Sequence, residues 1–174
     1  SKFKYMKILK NKIKGSFRVL PDVKKDKRGY FTRIICLKEF KKKIDNFKIV
    51  QSNSSFSHKK GTMRGIHYQK KPFEEAKLIQ CISGSIFDVI IDLRKNSPTY
   101  LKWESFVISK KNKNLLYIPK GCAHGFLTTA KNTGVIYYVD NFYNPIYEKV
   151  IKYNDKKFKI KWPIPIKSVS KKDS

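Results

Sequence analysis

Cysteine is scarce and unpatterned: Cys36, Cys81 and Cys122 are the only three, far apart, with no Cys-x-x-Cys pair. That argues against a disulfide framework and a thiolate zinc site, and it points to a reducing compartment. No apolar run approaches the ~20 residues needed to cross a bilayer. The opening Ser1-Lys-Phe-Lys-Tyr5 has no signal-like hydrophobic stretch, so the expectation is a soluble cytoplasmic protein with no membrane partner. Neither Gly-x-Gly-x-x-Gly nor Gly-x-x-x-x-Gly-Lys-Ser/Thr occurs, so neither a dinucleotide fold nor a phosphate loop is implied. Arginine is rare too. Arg18, Arg28, Arg33, Arg64 and Arg94 are the whole set, against a formal charge of +27. The excess is lysine spread along the chain, with no arginine-rich reading element. This speaks against specific nucleic-acid binding, yet a positive surface favours an anionic small ligand.

What is present is a folding composition: 40% hydrophobic residues, with 12 Phe and 10 Tyr in 174 residues. The length suits one domain spanning 1–174 with a real core. Short runs rich in Ile, Val, Phe and Tyr, broken by turn signals, read as antiparallel strands. They are Ser16–Leu20, Tyr30–Cys36, Lys48–Phe56, Gly65–Tyr68, Ala76–Ser83, Ser85–Leu93, Trp103–Ser109, Asn114–Ile118, Gly121–Thr128 and Gly134–Asp140. Leu37, Phe40 and Ile44 recur at helical spacing, which predicts a short helix over Leu37–Phe47. From Phe142 onward the chain reads as irregular or helical. The fold class is all-β, two sheets rolled on each other as a sandwich or barrel.

The chain has only three histidines, and two of them interrupt apolar runs with short polar motifs: Arg64-Gly-Ile-His67-Tyr-Gln69 and Pro119-Lys-Gly-Cys-Ala-His124-Gly. A lone histidine is most often a satisfied core residue. Two in one pocket with Arg64, Lys77 and Tyr137 would be costly without a function. Metal-binding barrels of the cupin type need three or four converging ligands, but after His67 come Tyr68 and Gln69, so the first ligand motif is broken and no metal is expected. The alternative is an imidazole base steadied by a carboxylate. Asp88 and Asp92 share one strand face, interior or solvent. Tyr137 and Tyr138 face opposite ways, so only one can enter a pocket. Arg28 and Arg64 offer guanidinium forks suited to a diphosphate.

Several motifs together resemble a known family. They are Gln51-Ser-Asn53-Ser-Ser55-Phe-Ser57, Gly61-Thr-Met-Arg64-Gly-Ile-His67-Tyr-Gln69, Ala76-Lys77-Leu78, Gly84-Ser-Ile-Phe87-Asp88-Val-Ile-Ile-Asp92-Leu-Arg94-Lys-Asn-Ser97-Pro98-Thr-Tyr100, Ile118-Pro119-Lys-Gly121-Cys-Ala-His124-Gly-Phe126 and Tyr153-Asn-Asp155 through Trp162-Pro163. In order and spacing, from near Arg28-Gly29 to about Asp173, the chain resembles the dTDP-4-dehydrorhamnose 3,5-epimerases. The resemblance implies a metal-free, cofactor-independent, cupin-like jelly roll with a few short helices, a homodimer, acting on a nucleotide-linked 4-keto-6-deoxy sugar. It implies His67 as base, Tyr137 as acid on the opposite ring face, Lys77 near the ketone oxygen and Asp173 paired with the catalytic histidine. Asp88 and His124 match a second pair in the pocket. Arg28, Arg64, Gln51 and Asn53 match positions near the diphosphate or sugar, and Phe31 an aromatic near the nucleotide.

One segment departs from the pattern. Where the family has Asp-Tyr-Tyr-Ala-Pro-Glu, this chain has Asn141-Phe142-Tyr143-Asn144-Pro145-Ile146, without the two acidic groups and one phenol. Two competing expectations stand beside the epimerase: a sugar 3,4-ketoisomerase using related enediol chemistry, and a non-catalytic nucleotide-sugar binding module.

Overall fold

The computed structural model describes residues 6–174. The chain passes through β1 (Met6–Lys10), β2 (Phe17–Pro21), β3 (Val23–Asp26), β4 (Gly29–Thr32), a helical turn α1 (Leu37–Phe40), β5 (Gln51–Ser57), β6 (Met63–Gln69) and β7 (Lys77–Ser83). It continues through β8 (Ser85–Asp92), β9 (Trp103–Ser109), β10 (Leu115–Ile118), β11 (Cys122–Thr128), β12 (Thr133–Val139) and β13 (Glu148–Val150). A six-stranded sheet has the order β1-β2-β10-β7-β12-β5, a five-stranded sheet the order β13-β6-β11-β8-β9, and β3-β4 form a separate hairpin. From β5 to β13 the chain changes sheet at every step except β8 to β9, the crossing pattern of a jelly roll. All the strand pairings are antiparallel, as the short apolar runs predict.

Side-chain alternation sorts each strand onto two faces. Ile79 and Cys81 of β7, Ile86 and Ile90 of β8, Phe106 and Ile108 of β9, Cys122 and Phe126 of β11 and Val135 of β12 pack together between the sheets. The outer face of the five-stranded sheet is covered as well. Val89, Ile91, Ala123 and Leu127 lie under Phe158, Tyr153 and Trp162 of the C-terminal segment. Because β8 is buried on both faces it reads as a nearly continuous apolar run. Each fully buried isoleucine contributes about 1.5–3 kcal/mol.

The outer face of the six-stranded sheet is capped by Phe40, Ile44 and Phe47, packed on Phe17, Val19, Leu78 and Leu115. The predicted helix over Leu37–Phe47 is therefore present only as the turn Leu37–Phe40, followed by hydrogen-bonded turns. Leu37 is exposed, and Asn46 adopts a positive φ that ends any regular helix before Phe47. The predicted strand Tyr30–Cys36 stops at Thr32. β1, β3 and β13 were not expected: lysine, with Leu9 and Asp26, occupies their exposed positions, and β13 is only three residues long. After Phe142 the chain is irregular apart from β13, with no α-helix. No helix among the described residues is long and apolar enough to cross a membrane.

Candidate active site

The two histidine strands are neighbours, and the register between them is uneven. His124 of β11 pairs with His67 of β6, while Phe126 pairs with Arg64. Two steps along β11 thus match three along β6, a β-bulge. Gly65 makes it possible. Its φ is +98°, and a Cβ there would stand 2.8 Å from the His124 carbonyl oxygen and 2.9 Å from the Gly125 Cα. The extra residue resets the alternation. Met63 and Ile66 join the outer core, Met63 also edging the cavity of about 850 Å³ between the sheets that Arg64, His67 and Gln69 line.

Each histidine is held by a carboxylate. His67 Nε2 lies 2.7 Å from Asp173 Oδ1, and the Gly65 amide donates to Asp173 Oδ2 at 3.0 Å. A carboxylate accepting from both groups fixes Nε2 as the protonated nitrogen and leaves Nδ1 to accept a proton. His124 Nε2 meets Asp88 Oδ2 at 2.8 Å. Asp88 is fully buried behind it, and its Oδ1 has no hydrogen-bond partner among the described residues. Lys77, from the six-stranded sheet, pairs with Glu75 at 3.2 Å. Tyr137 lines the cavity from that same sheet, packed against the inner core. Tyr138 faces the opposite way, and its hydroxyl donates to Gln80 Oε1 at 3.0 Å.

Burial shifts the titration of both His67 and Tyr137. It pulls His67 below its usual 6.5; the hydrogen bond and charge of Asp173 oppose the shift, and Lys77 adds to it. Burial raises Tyr137 above 10, Glu75 adds to the rise and Arg64 opposes it, so the phenol stays protonated at neutral pH. Burial also raises Asp88, against the pull of His124 and Lys77. A neutral imidazole on one sheet and a protonated phenol on the facing sheet can address the two faces of a flat ring between them. The Lys77 ammonium can stabilise negative charge developing there.

The structure brings together most of the expected residues. His67, Tyr137, Lys77, Asp173, Gln51, Asn53, Arg64 and His124 all line the cavity, with Asp88 directly behind. Arg28 and Phe31 do not line it. They sit on the β3–β4 hairpin, where Arg28 pairs with Asp26 at 2.7 Å and Phe31 is 60% exposed. Asp92 shares the inward face of β8 with Asp88 but anchors a turn instead, bonding Arg94, Ser97 and Thr99. Glu75, Tyr143, Glu148 and Lys172 also line the cavity and were not anticipated. The spacing Glu75 to Lys77 and the adjacency of Lys172 to Asp173 were usable signals, whereas nothing in the sequence marks Glu148. Among the described residues no group of three or more His, Cys, Asp or Glu side chains is placed to hold a metal ion.

Known proteins match the chain over nearly its whole length. The family model described as dTDP-4-dehydrorhamnose 3,5-epimerase matches residues 10–174. An enzyme of that name from Shigella flexneri is 38% identical over 169 residues, covering 97% of this chain and 93% of the relative. The dTDP-4-dehydrorhamnose 3,5-epimerase of Bacillus anthracis str. Ames, solved with TDP and PPi bound, superposes with a TM-score of 0.93 at 39% identity, over 97% of this chain and 96% of that one. The dTDP-6-deoxy-D-glucose-3,5-epimerase of Legionella pneumophila Philadelphia 1, in complex with dTDP-4-keto-L-rhamnose, gives 0.91 at 34% identity, over 97% and 89%. With a model match over nearly its whole length and relatives above 30% identity, the chain belongs to the dTDP-4-dehydrorhamnose 3,5-epimerase family.

Proposed function

We propose that this protein is an isomerase that inverts C3 and C5 of dTDP-4-keto-6-deoxyglucose, in deoxysugar biosynthesis, without a cofactor. The observation that carries the reading is the placement of His67 and Tyr137 on facing sheets, both lining one cavity with Lys77. The C3 and C5 protons flank the C4 ketone, so removing either gives an enolate whose charge rests on the ketone oxygen. His67 takes the proton through Nδ1, and Asp173 holds the imidazole and stabilises its cation. Lys77 lies near the ketone oxygen and steadies the enolate; a positioned donor of this kind contributes about 3–4 kcal/mol to the transition state. Tyr137 returns a proton from the other face, which inverts the centre. His124, held by Asp88, adds a second polar group to the cavity, and Gln51, Asn53 and Arg64 contact the sugar and diphosphate.

The working unit is a homodimer. The β3–β4 hairpin stands apart from both sheets, with Arg28, Tyr30 and Phe31 exposed and absent from the chain's own cavity. In the dimer it reaches the partner's cavity and meets the nucleotide there. A mixture of His67→Ala and Phe31→Ala chains then recovers activity that neither has alone. A monomeric sedimentation profile would overturn the dimer.

The decisive measurement is NMR in heavy water with dTDP-4-keto-6-deoxyglucose. Deuterium entering at C3 and C5 with formation of the rhamno-configured ketone supports the double epimerase. Exchange at one centre reassigns it as a single-centre enzyme, a 3-keto product as a ketoisomerase, and no exchange with tight dTDP binding as a binding module.

A further inference from the structure

Tyr143 lines the cavity from a stretch between β12 and β13 that has no regular secondary structure, so its position depends on whatever ties that stretch down. Two residues paired across β6 and β13 do so. Gln69, 4% exposed, donates from Nε2 to the Phe142 carbonyl at 3.2 Å and accepts the Asn144 amide on Oε1 at 2.7 Å, bracketing Tyr143 on both sides in sequence. Its second Nε2 donor bonds the Phe73 carbonyl at 2.7 Å, which ties in the neighbouring 70–75 loop. Glu148, the strand partner of Gln69, accepts the Tyr143 hydroxyl at 2.7 Å. Lys172 also bonds Glu148 Oε2. Both amide hydrogens and the carbonyl oxygen of Gln69 are thus engaged, and all of its bonds go to backbone in the two loops that bring Glu75 and Tyr143 to the cavity.

We propose that Gln69 is a positioning residue for substrate binding. It fixes the backbone on either side of Tyr143, while Glu148 fixes the phenol, so that the ring is presented to the bound ligand without rearrangement. The side chain of Gln69 acts on affinity and not on proton transfer, because the bonds it makes lead to Tyr143 and away from the His67–Asp173 pair. Pre-organised contact of this kind is felt equally in ground and transition states, so its loss raises KM and spares kcat. The magnitude of the KM effect rests on the proposed activity; the ordering of the loop does not.

The test is Gln69→Leu, alone and combined with Tyr143→Ala. Gln69→Leu is expected to weaken dTDP binding in calorimetry, and to raise KM, by about tenfold with kcat within about twofold. In the Tyr143→Ala background it should add less than about twofold. Hydrogen exchange over residues 141–147 should quicken by about tenfold or more in Gln69→Leu. Gln69→Glu keeps the acceptor for the Asn144 amide but sets an anion against the Phe73 and Phe142 carbonyls, so it should loosen 141–147 at least as much as Gln69→Leu, and wild-type exchange outside residues 70–75 and 141–147 shows that either variant is folded. A drop in kcat at constant KM, multiplicative losses in the double variant, or unchanged exchange over 141–147 would each overturn the assignment. A wild-type protein that fails to turn over the keto sugar refutes the proposed activity instead, since the exchange experiment still reads Gln69.

Discussion

Arg64 and His67 stand three positions apart on β6 yet line the same cavity. In an unbroken strand an odd separation sends two side chains to opposite faces. One extra residue on β6, opposite the step from His124 to Phe126, cancels that rule. The device depends on two glycines in contact: a Cβ on Gly125 would in turn stand 2.9 Å from the Arg64 carbonyl oxygen. The same bulge aims the Gly65 amide at Asp173. A single backbone irregularity therefore sets the Arg64 guanidinium, the His67 imidazole and the carboxylate that holds it.

Gly65→Ala should consequently damage activity far more than stability. The positive φ and the contact at 2.8 Å must both be relieved by moving β6 against β11, where His67 and His124 face each other. The strain costs about 1–3 kcal/mol, within reach of a folded protein. A shift of ~1 Å at the base lowers kcat by about a hundredfold. Thermal melting alongside steady-state kinetics checks both parts; a stable variant with wild-type kcat would show that the bulge is not needed.

The acid limb of kcat/KM should lie below pH 6.5. As the proposed base His67 must be neutral, and burial holds its pKa below the ordinary value, so activity should rise with pH through that lowered pKa. Asp173 opposes the shift, hence Asp173→Asn moves the limb to still lower pH. It also lowers kcat by about 10²–10⁴-fold, as the imidazole loses its orienting anion. The linkage to folding has the same sign. The unfolded chain binds the proton more tightly than the folded one, so His67 contributes stability above pH 6.5 that is lost as pH falls toward the folded pKa. A pH–rate profile of both proteins decides; a limb moving upward in Asp173→Asn would contradict the pairing.

Much of this was legible from residues. The apolar runs of β7, β8, β11 and β12 are read directly because both of their faces are buried, and the polar interruptions at His67 and His124 marked the site. Parity also placed Asp88 and Asp92 on one face, which is interior. It did not distinguish the carboxylate behind His124 from the one anchoring the Arg94 turn, since both are buried in the same strand. Strand parity alone sets Arg64 and His67 on opposite faces, because one inserted residue at Gly65 inverts every parity argument beyond it; motif resemblance, not periodicity, joined them. Tyr143 and Lys172 lie in irregular chain and Glu148 in a three-residue strand; their convergence is a product of tertiary packing and leaves no periodic trace.

The adjacent tyrosines should separate cleanly. Tyr137→Phe keeps the ring in the inner core but removes the proton donor, so deuterium still enters the substrate while inversion falls by about 10²–10³-fold. Tyr138→Phe removes only the bond to Gln80 on the outer face. It should leave kcat within about twofold and cost about 1 kcal/mol of stability. Following exchange and product formation in the same NMR tube reports both quantities. Normal inversion by Tyr137→Phe would reassign the acid.

Asp92 offers the opposite contrast, a buried carboxylate on the same inward face with no part in the chemistry. Burial alone would raise its pKa, but hydrogen bonds from Arg94, Ser97, Thr99 and the Arg94 amide outweigh that and hold it far below the usual carboxylate range. A depressed carboxylate contributes stability that is present above its unfolded value of about 3.9 and is lost as pH falls through the folded one. Asp92→Asn should therefore cost about 3 kcal/mol at pH 7, by leaving Arg94 without its anion, and flatten the acid side of the stability curve. The remaining folded enzyme should keep its KM and its acid kinetic limb, because Asp92 touches neither the cavity nor His67. Urea titrations between pH 3 and 8 measure the first effect and a pH–rate profile the second; a shifted kinetic limb would tie the turn to the active site after all.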